Sequence, residues 1–284
     1  MSKFFNETLK TQNPILPEQG FNLAGLQDIE PQEEQLDSNP VDSDRVQPQV
    51  DQTKKIEIPH TSFLATRFDG SDSLHSAAES YSALRTRLLR MRSTRELRSI
   101  VITSSSPGEG KTLNSFNLAL CCSQLQDMRV LLVDGDIRTG GLSRLMGGLA
   151  LPGLATILSS EQYRPESAVV ETDQPNLYFC AAGSTTQPPP ELYASNRWTE
   201  FVNWCHESFQ LVIVDSPPIM TLADVELMTA ACDGVLAVVR ARYSRRDMLQ
   251  KSASQLDSKK FLGLIYNNSD SIHQKYYYGS DNKQ

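Results

Sequence analysis

The segment Ser104-Ser-Ser-Pro-Gly-Glu-Gly-Lys-Thr112 has the residue types and spacing to grip phosphate. Gly108 and Gly110 let the backbone approach an anion closely. Lys111 would reach the β- and γ-phosphates of a nucleoside triphosphate, and the Thr112 hydroxyl would ligate Mg2+. Pro107 and Glu109 complete the set expected to bind ATP: Pro107, Gly108, Glu109, Gly110, Lys111 and Thr112. The first position of the usual G-x-x-x-x-G-K-[ST] pattern is Ser105, where glycine is customary. The competing reading is a glycine-rich turn with an exposed lysine.

Two other segments put carboxylates after apolar runs. Val130-Leu-Leu-Val133 leads into Asp134-Gly-Asp136-Ile-Arg138, and Leu211-Val-Ile-Val214 leads into Asp215-Ser-Pro-Pro218. Mg2+ takes a few hard oxygen ligands and keeps several waters, so Asp136 and Asp215 suit water-mediated partners of the ion. Asp134 is placed to accept a proton from an attacking hydroxyl. Any one of these aspartates could instead cap a helix or start a turn. Three strand ends that each carry phosphate or magnesium chemistry are harder to explain that way.

The elements needed to bring those segments together are present. Strand-like runs are predicted at Ser99–Thr103, Arg129–Val133, Leu177–Cys180, Gln210–Val214, Gly234–Arg240 and Phe261–Tyr266. Helical patterns cover Ser73–Arg92, Lys111–Gln126, Arg197–Glu207, Leu222–Ala231 and Arg245–Ser258. Continuously apolar strands alternating with helices predict an α/β fold, a doubly wound, mostly parallel sheet of the P-loop NTPase type with helices on both faces. In such sheets ligands sit beyond the carboxyl ends of the strands, where the loop and the aspartates would meet.

Charge is unevenly distributed. Of the net charge of -7, residues 1–60 account for -6, with 11 acidic and 5 basic residues. The rest is close to neutral, which argues against a duplex-DNA-binding face. Residues 1–60 are rich in Gln, Asp, Glu, Asn and Pro and poor in aromatics, the composition of a disordered tail. Residues 61–266 are read as the ATPase domain, and 267–284 as a flexible C-terminal tail holding Tyr276, Tyr277 and Tyr278. No apolar run approaches the roughly 20 residues that span a bilayer, and the N-terminus lacks a signal pattern. The five cysteines are odd in number and lack metal-ligand spacing, as buried thiols of a cytoplasmic protein would be.

At the three motifs the sequence resembles the bacterial tyrosine kinases (BY-kinases) that control capsule and exopolysaccharide synthesis. The family's Walker A, A′ and B motifs match Thr103–Thr112, Val130–Arg138 and Leu211–Pro218. The likeness continues through Gly141–Gly147, Gly153–Leu158, Pro189–Leu192, Leu222–Val225, Cys232–Arg240 and Gly263–Asn267. It implies that Lys111, Asp134, Asp136 and Arg138 are catalytic, with Asp134 as base. It puts Mg2+ on Thr112, Asp136 and Asp215, and Asn267 at the adenine side. Tyr276, Tyr277 and Tyr278 become acceptors phosphorylated between neighbouring chains. The resemblance further implies a homo-oligomer and a separate membrane-spanning chain-length regulator that recruits the kinase to the inner face of the plasma membrane. A tyrosine phosphatase would oppose it. Ser82 stands where the family's ring-forming helix carries an arginine, which puts ring assembly in question. Two other readings remain open from the sequence: a non-catalytic, nucleotide-dependent scaffold of polysaccharide export, and a partitioning or cell-division-type ATPase.

Overall fold

Apolar runs of four to seven residues form most of one sheet of eight strands, with the order β1-β4-β5-β3-β6-β2-β7-β8. The strands are β1 Lys55–Ile56, β2 Ser99–Ser104, β3 Val130–Asp134, β4 Val169–Thr172, β5 Leu177–Cys180, β6 Leu211–Asp215, β7 Gly234–Arg240 and β8 Phe261–Asn267. Neighbours are parallel except β4 and β5, which pair antiparallel. This computed structural model describes residues 55–58, 72–219 and 223–268. Of the tail proposed at 1–60, residues 1–54 and 59–60 lie outside the described residues, as do the tyrosines Tyr276, Tyr277 and Tyr278.

The helices among the described residues are α1 Asp72–Thr94, α2 Lys111–Ser123, α3 Gly141–Leu145, α4 Leu154–Ser159, α5 Pro189–Ala194, α6 Asn196–Ser208, α7 Asp224–Ala231 and α8 Arg246–Ser254. Successive strand side chains point to opposite faces, and both faces are covered. Ile100, Ile102, Val130, Leu132, Leu211 and Ile213 enter one core with Leu88 of α1 and Phe116 and Leu118 of α2. Val101, Leu131, Val133, Val212 and Val214 enter the other with Leu154 of α4, Leu192 of α5, Trp198 and Phe201 of α6 and Met228 of α7. Burial on both faces is why these strands read as unbroken apolar runs. Each large side chain so buried contributes about 1.5–3 kcal/mol.

Two strands depart from the sequence reading. Residues 55–58, assigned to the disordered tail, belong to the sheet edge instead. Lys55 and Ile56 pair with Glu171 and Thr172, the Ile58 N–H donates to Asp173 Oδ1 at 2.9 Å, and Ile58 is buried. The cause is the alternation of Ile56 and Ile58, which composition averaged over a long polar stretch conceals. The other is β4, only four residues long, which runs against β5 and carries β1.

Candidate active site at the strand tips

Strand β2 is buried along its whole length and delivers the loop Ser105–Gly110 to the start of α2. Gly108 and Gly110 have φ of 81° and 97°, values that residues with a Cβ rarely adopt. Gly110 is the N-cap of α2; it makes no side-chain cap, and no acidic residue lies in the first turn. The helix therefore presents unsatisfied N–H groups and the positive end of its dipole to an anion.

The loop's carbonyls are held from outside. Ser104 Oγ donates to Ser106 O at 2.9 Å, the Tyr243 hydroxyl to Pro107 O at 3.1 Å and Arg240 Nη1 to Gly108 O at 3.0 Å. Asn267 Nδ2 donates to Glu109 O at 2.9 Å, and Asn114 Nδ2 to Gly110 O at 2.9 Å. A trans peptide sends its C=O and N–H in opposite directions. Drawing these carbonyls outward turns the N–H groups of Gly108 to Lys111 inward, as a phosphate cradle requires. Arg240 also stacks over the Tyr243 ring, 5.2 Å from its centroid.

Ser105 and Glu109 answer one another. Ser105 Oγ lies 2.8 and 3.0 Å from the two Glu109 carboxylate oxygens. The Ser106 N–H donates to Glu109 Oε2 at 3.0 Å, and the Ser244 hydroxyl donates to Oε1. Both Ser105 and Glu109 are buried. The serine that replaces the usual glycine thus completes a polar pin behind the loop. The Glu109 side chain belongs to that pin, leaving its backbone to the loop itself.

Strand register brings the carboxylates together. Asp134 and Asp215 are paired residues of β3 and β6, and Asp215 is paired with Ile102 of β2. Lys111 Nζ lies 3.8 Å from Asp136 Oδ2. Asp134 Oδ2 accepts from the Ser143 N–H at 2.6 Å and the Ser143 hydroxyl at 2.7 Å. Asp134 Oδ1 accepts from the Asp136 N–H at 3.2 Å. Burial raises the Asp134 pKa, although the Ser143 bonds pull it down. Asp215 is pushed up to about 7, chiefly by burial; the Lys111 charge opposes this, Asp134 adds to it, and the Thr112 and Ser115 hydroxyls oppose it.

Asp215 Oδ1 accepts from the Ser115 hydroxyl at 3.2 Å, whereas Oδ2 is buried with no hydrogen-bond partner. A buried carboxylate oxygen left free, on a group the Thr112 hydroxyl also approaches, suits a hydrated divalent cation. Thr112, Asp136 and Asp215 therefore fit Mg2+. Among the described residues no cluster of three His, Cys, Asp or Glu side chains could hold a metal alone. The ion would take its other ligands from phosphate and water.

Arg138 turns toward α7, with Nε 3.1 Å and Nη2 3.5 Å from the Asp224 carboxylate. The Tyr193 hydroxyl donates to Gly135 O at 2.6 Å and holds the same segment from α5. Asn267, expected beside adenine, reaches the loop through Glu109 O. On α1, Ser82 faces Cys121 of α2, and Arg85 Nη1 donates to Cys121 O at 2.7 Å. Sequence reasoning missed Arg240, Tyr243, Ser244 and Asp224 as parts of the site. Their sequence signal is position, at the end of β7 or just after it, or at the start of α7.

A glycine-rich loop between the buried strand β2 and helix α2, with two acidic strand tips beside it, defines the P-loop NTPase class. The chain is 30% identical over 207 residues to tyrosine-protein kinase YwqD of Bacillus subtilis, covering 72% of this chain and 86% of that protein. It is also 30% identical over 219 residues to tyrosine-protein kinase CpsD of Streptococcus pneumoniae, covering 74% and 94%. Among solved structures, the kinase domain of Escherichia coli tyrosine kinase ETK aligns with a TM-score of 0.64 and 25% identity, over 75% of this chain and 88% of that one. The BceF tyrosine kinase domain aligns at 0.61 and 28%, over 72% and 81%. No protein-family model matches. The chain belongs to the bacterial tyrosine-protein kinase family.

Proposed function

We propose that this protein transfers the γ-phosphoryl group of ATP to tyrosine, including Tyr276, Tyr277 and Tyr278 of a neighbouring copy, and so regulates capsule or exopolysaccharide synthesis. The observation that carries the reading is the convergence of Lys111, Asp136 and Asp215 on one side of the phosphate loop, in a chain of this family. The inward N–H groups and Lys111 bind and orient the triphosphate. The phenolic oxygen attacks the γ-phosphorus in line, the bond to the β,γ-bridging oxygen breaks, and ADP leaves. Asp134 takes the phenolic proton; its burial raises proton affinity, and Ser143 fixes its orientation. Arg138, released from Asp224, would face the acceptor. Bound Mg2+ supplies neutralisation of charge on the phosphates. By family resemblance the kinase works as a homo-oligomer at the inner face of the plasma membrane. A membrane-spanning regulator would recruit it, and a phosphatase would oppose it.

The test is intact-mass and phosphopeptide analysis after incubation with Mg·ATP, with and without a Lys111→Met variant. The kinase reading requires added phosphate on tyrosine that the variant abolishes. Wild-type protein that binds ATP and gains no phosphotyrosine, even with a regulator's cytoplasmic tail, overturns it.

A further inference from the structure

Helix α1 packs beside α2 on one face of the sheet, and one of its side chains reaches toward the phosphate loop. Asn117 Nδ2 lies 3.5 Å from the Tyr81 hydroxyl. That hydroxyl donates to Asn114 Oδ1 at 3.1 Å, and Asn114 Nδ2 donates to Gly110 O at 2.9 Å. Asn114 and Asn117 are buried, so neither can exchange these partners freely for water.

The order of donors fixes the geometry. Gly110 O can only accept, so Asn114 gives it Nδ2 and turns Oδ1 to the Tyr81 hydroxyl, which donates. An amide that accepts through Oδ1 on that side must present Nδ2 on the other. Without the phenol, Asn114 Oδ1 loses its partner, and the amide is held at Gly110 O alone. Gly110 O already accepts the Asn114 backbone N–H at 3.0 Å, so the side-chain bond occupies its second lone pair. Gly110 is the loop's last residue and sits at φ 97°, a conformation with little intrinsic preference behind it.

We propose that Tyr81 is a positioning residue for nucleotide binding: through Asn114 it locks the Gly110 peptide in the orientation that aims the loop's N–H groups at phosphate. The inference rests on the nucleotide-binding reading above. It makes the seating of α1 on α2 a determinant of ATP affinity, although α1 touches no part of the nucleotide loop directly through this residue. Each bond in such a chain polarises the next, so the links act together.

The test compares ATP affinity by calorimetry, and KM with kcat, for wild type, Tyr81→Phe, Asn114→Ala and the double variant. Tyr81→Phe removes one oxygen and keeps the ring against α2. The expected result is about three- to tenfold weaker ATP binding in each single variant, as for loss of one hydrogen bond, with KM raised and kcat retained. The double variant should be no weaker than Asn114→Ala alone. Tyr81→Phe that binds ATP as wild type does overturns the proposal, as does an additive double variant. A wild type that binds no ATP removes the underlying nucleotide reading instead.

Discussion

Asp134 and Asp215 stand opposite each other in register at the tips of β3 and β6. Two buried carboxyls side by side resist simultaneous ionisation, and Asp215 is raised to about 7. Without a ligand the pair is a source of instability.

The pH dependence follows with a definite sign. Between about pH 4 and 7 the folded chain keeps a proton on Asp215 that the unfolded chain has released. Stability from this group is full below pH about 4, falls as pH rises, and is lost above about 7. Asp134, shifted in the same direction, adds to the trend. In the absence of nucleotide and magnesium, Asp215→Asn should be more stable than wild type at pH 8, by on the order of 2–4 kcal/mol, and should be inactive. Urea denaturation at pH 5 and pH 8 measures it. A variant less stable than wild type at pH 8 would refute this.

Gly110→Ala should abolish ATP binding. An added Cβ would lie 2.2 Å from Asn267 Nδ2 at a backbone φ of +97°. Removing the clashing partner in Gly110→Ala/Asn267→Ala should restore only part of the affinity, because the strained φ remains. Full restoration would mean that the clash alone mattered.

Glu109→Ala should weaken ATP binding about tenfold or more. It leaves the Ser106 N–H and two serine hydroxyls without their acceptor, at about 1–3 kcal/mol for an unsatisfied buried group. Glu109→Gln, which keeps one acceptor oxygen, should fall between that variant and wild type. Titration with ATP distinguishes them, and equal affinities would dismiss the pin.

Trp198→Ala should destabilise the fold by about 3–5 kcal/mol. The ring is buried, sits edge-on to Tyr193 at 5.3 Å, and donates Nε1–H to Met228 O at 3.1 Å. Denaturant titration checks the magnitude. ATP affinity of the folded fraction should stay within about twofold of wild type, since Trp198 packs away from the phosphate loop.

The arrangement was legible where residues adjacent in sequence lie together in the fold. Gly108, Gly110, Lys111 and Thr112 follow a strand and open a helix, and the runs before Asp134 and Asp215 are long enough to announce buried parallel strands. What stayed hidden depends on distant partners. Nothing local to Tyr243 or Arg240 signals that they hold Pro107 and Gly108, 136 and 132 positions away. Asp224 reads as a helix-start acid until Arg138 is found beside it. Strands β1 and β4 were missed because two or four residues give periodicity too little length to register, and their pairing supplies what local pattern does not. Ser105 looked like a defect in a motif until its hydroxyl was found against Glu109.

The bond between Asn267 and Glu109 joins positions 158 residues apart. A ribosome therefore delivers the triphosphate grip long before the last brace that holds it in shape. Because chains emerge amino end first, a nascent polypeptide that has passed Asp215 but stops short of that asparagine has the phosphate loop and both acidic strand tips and still lacks this support.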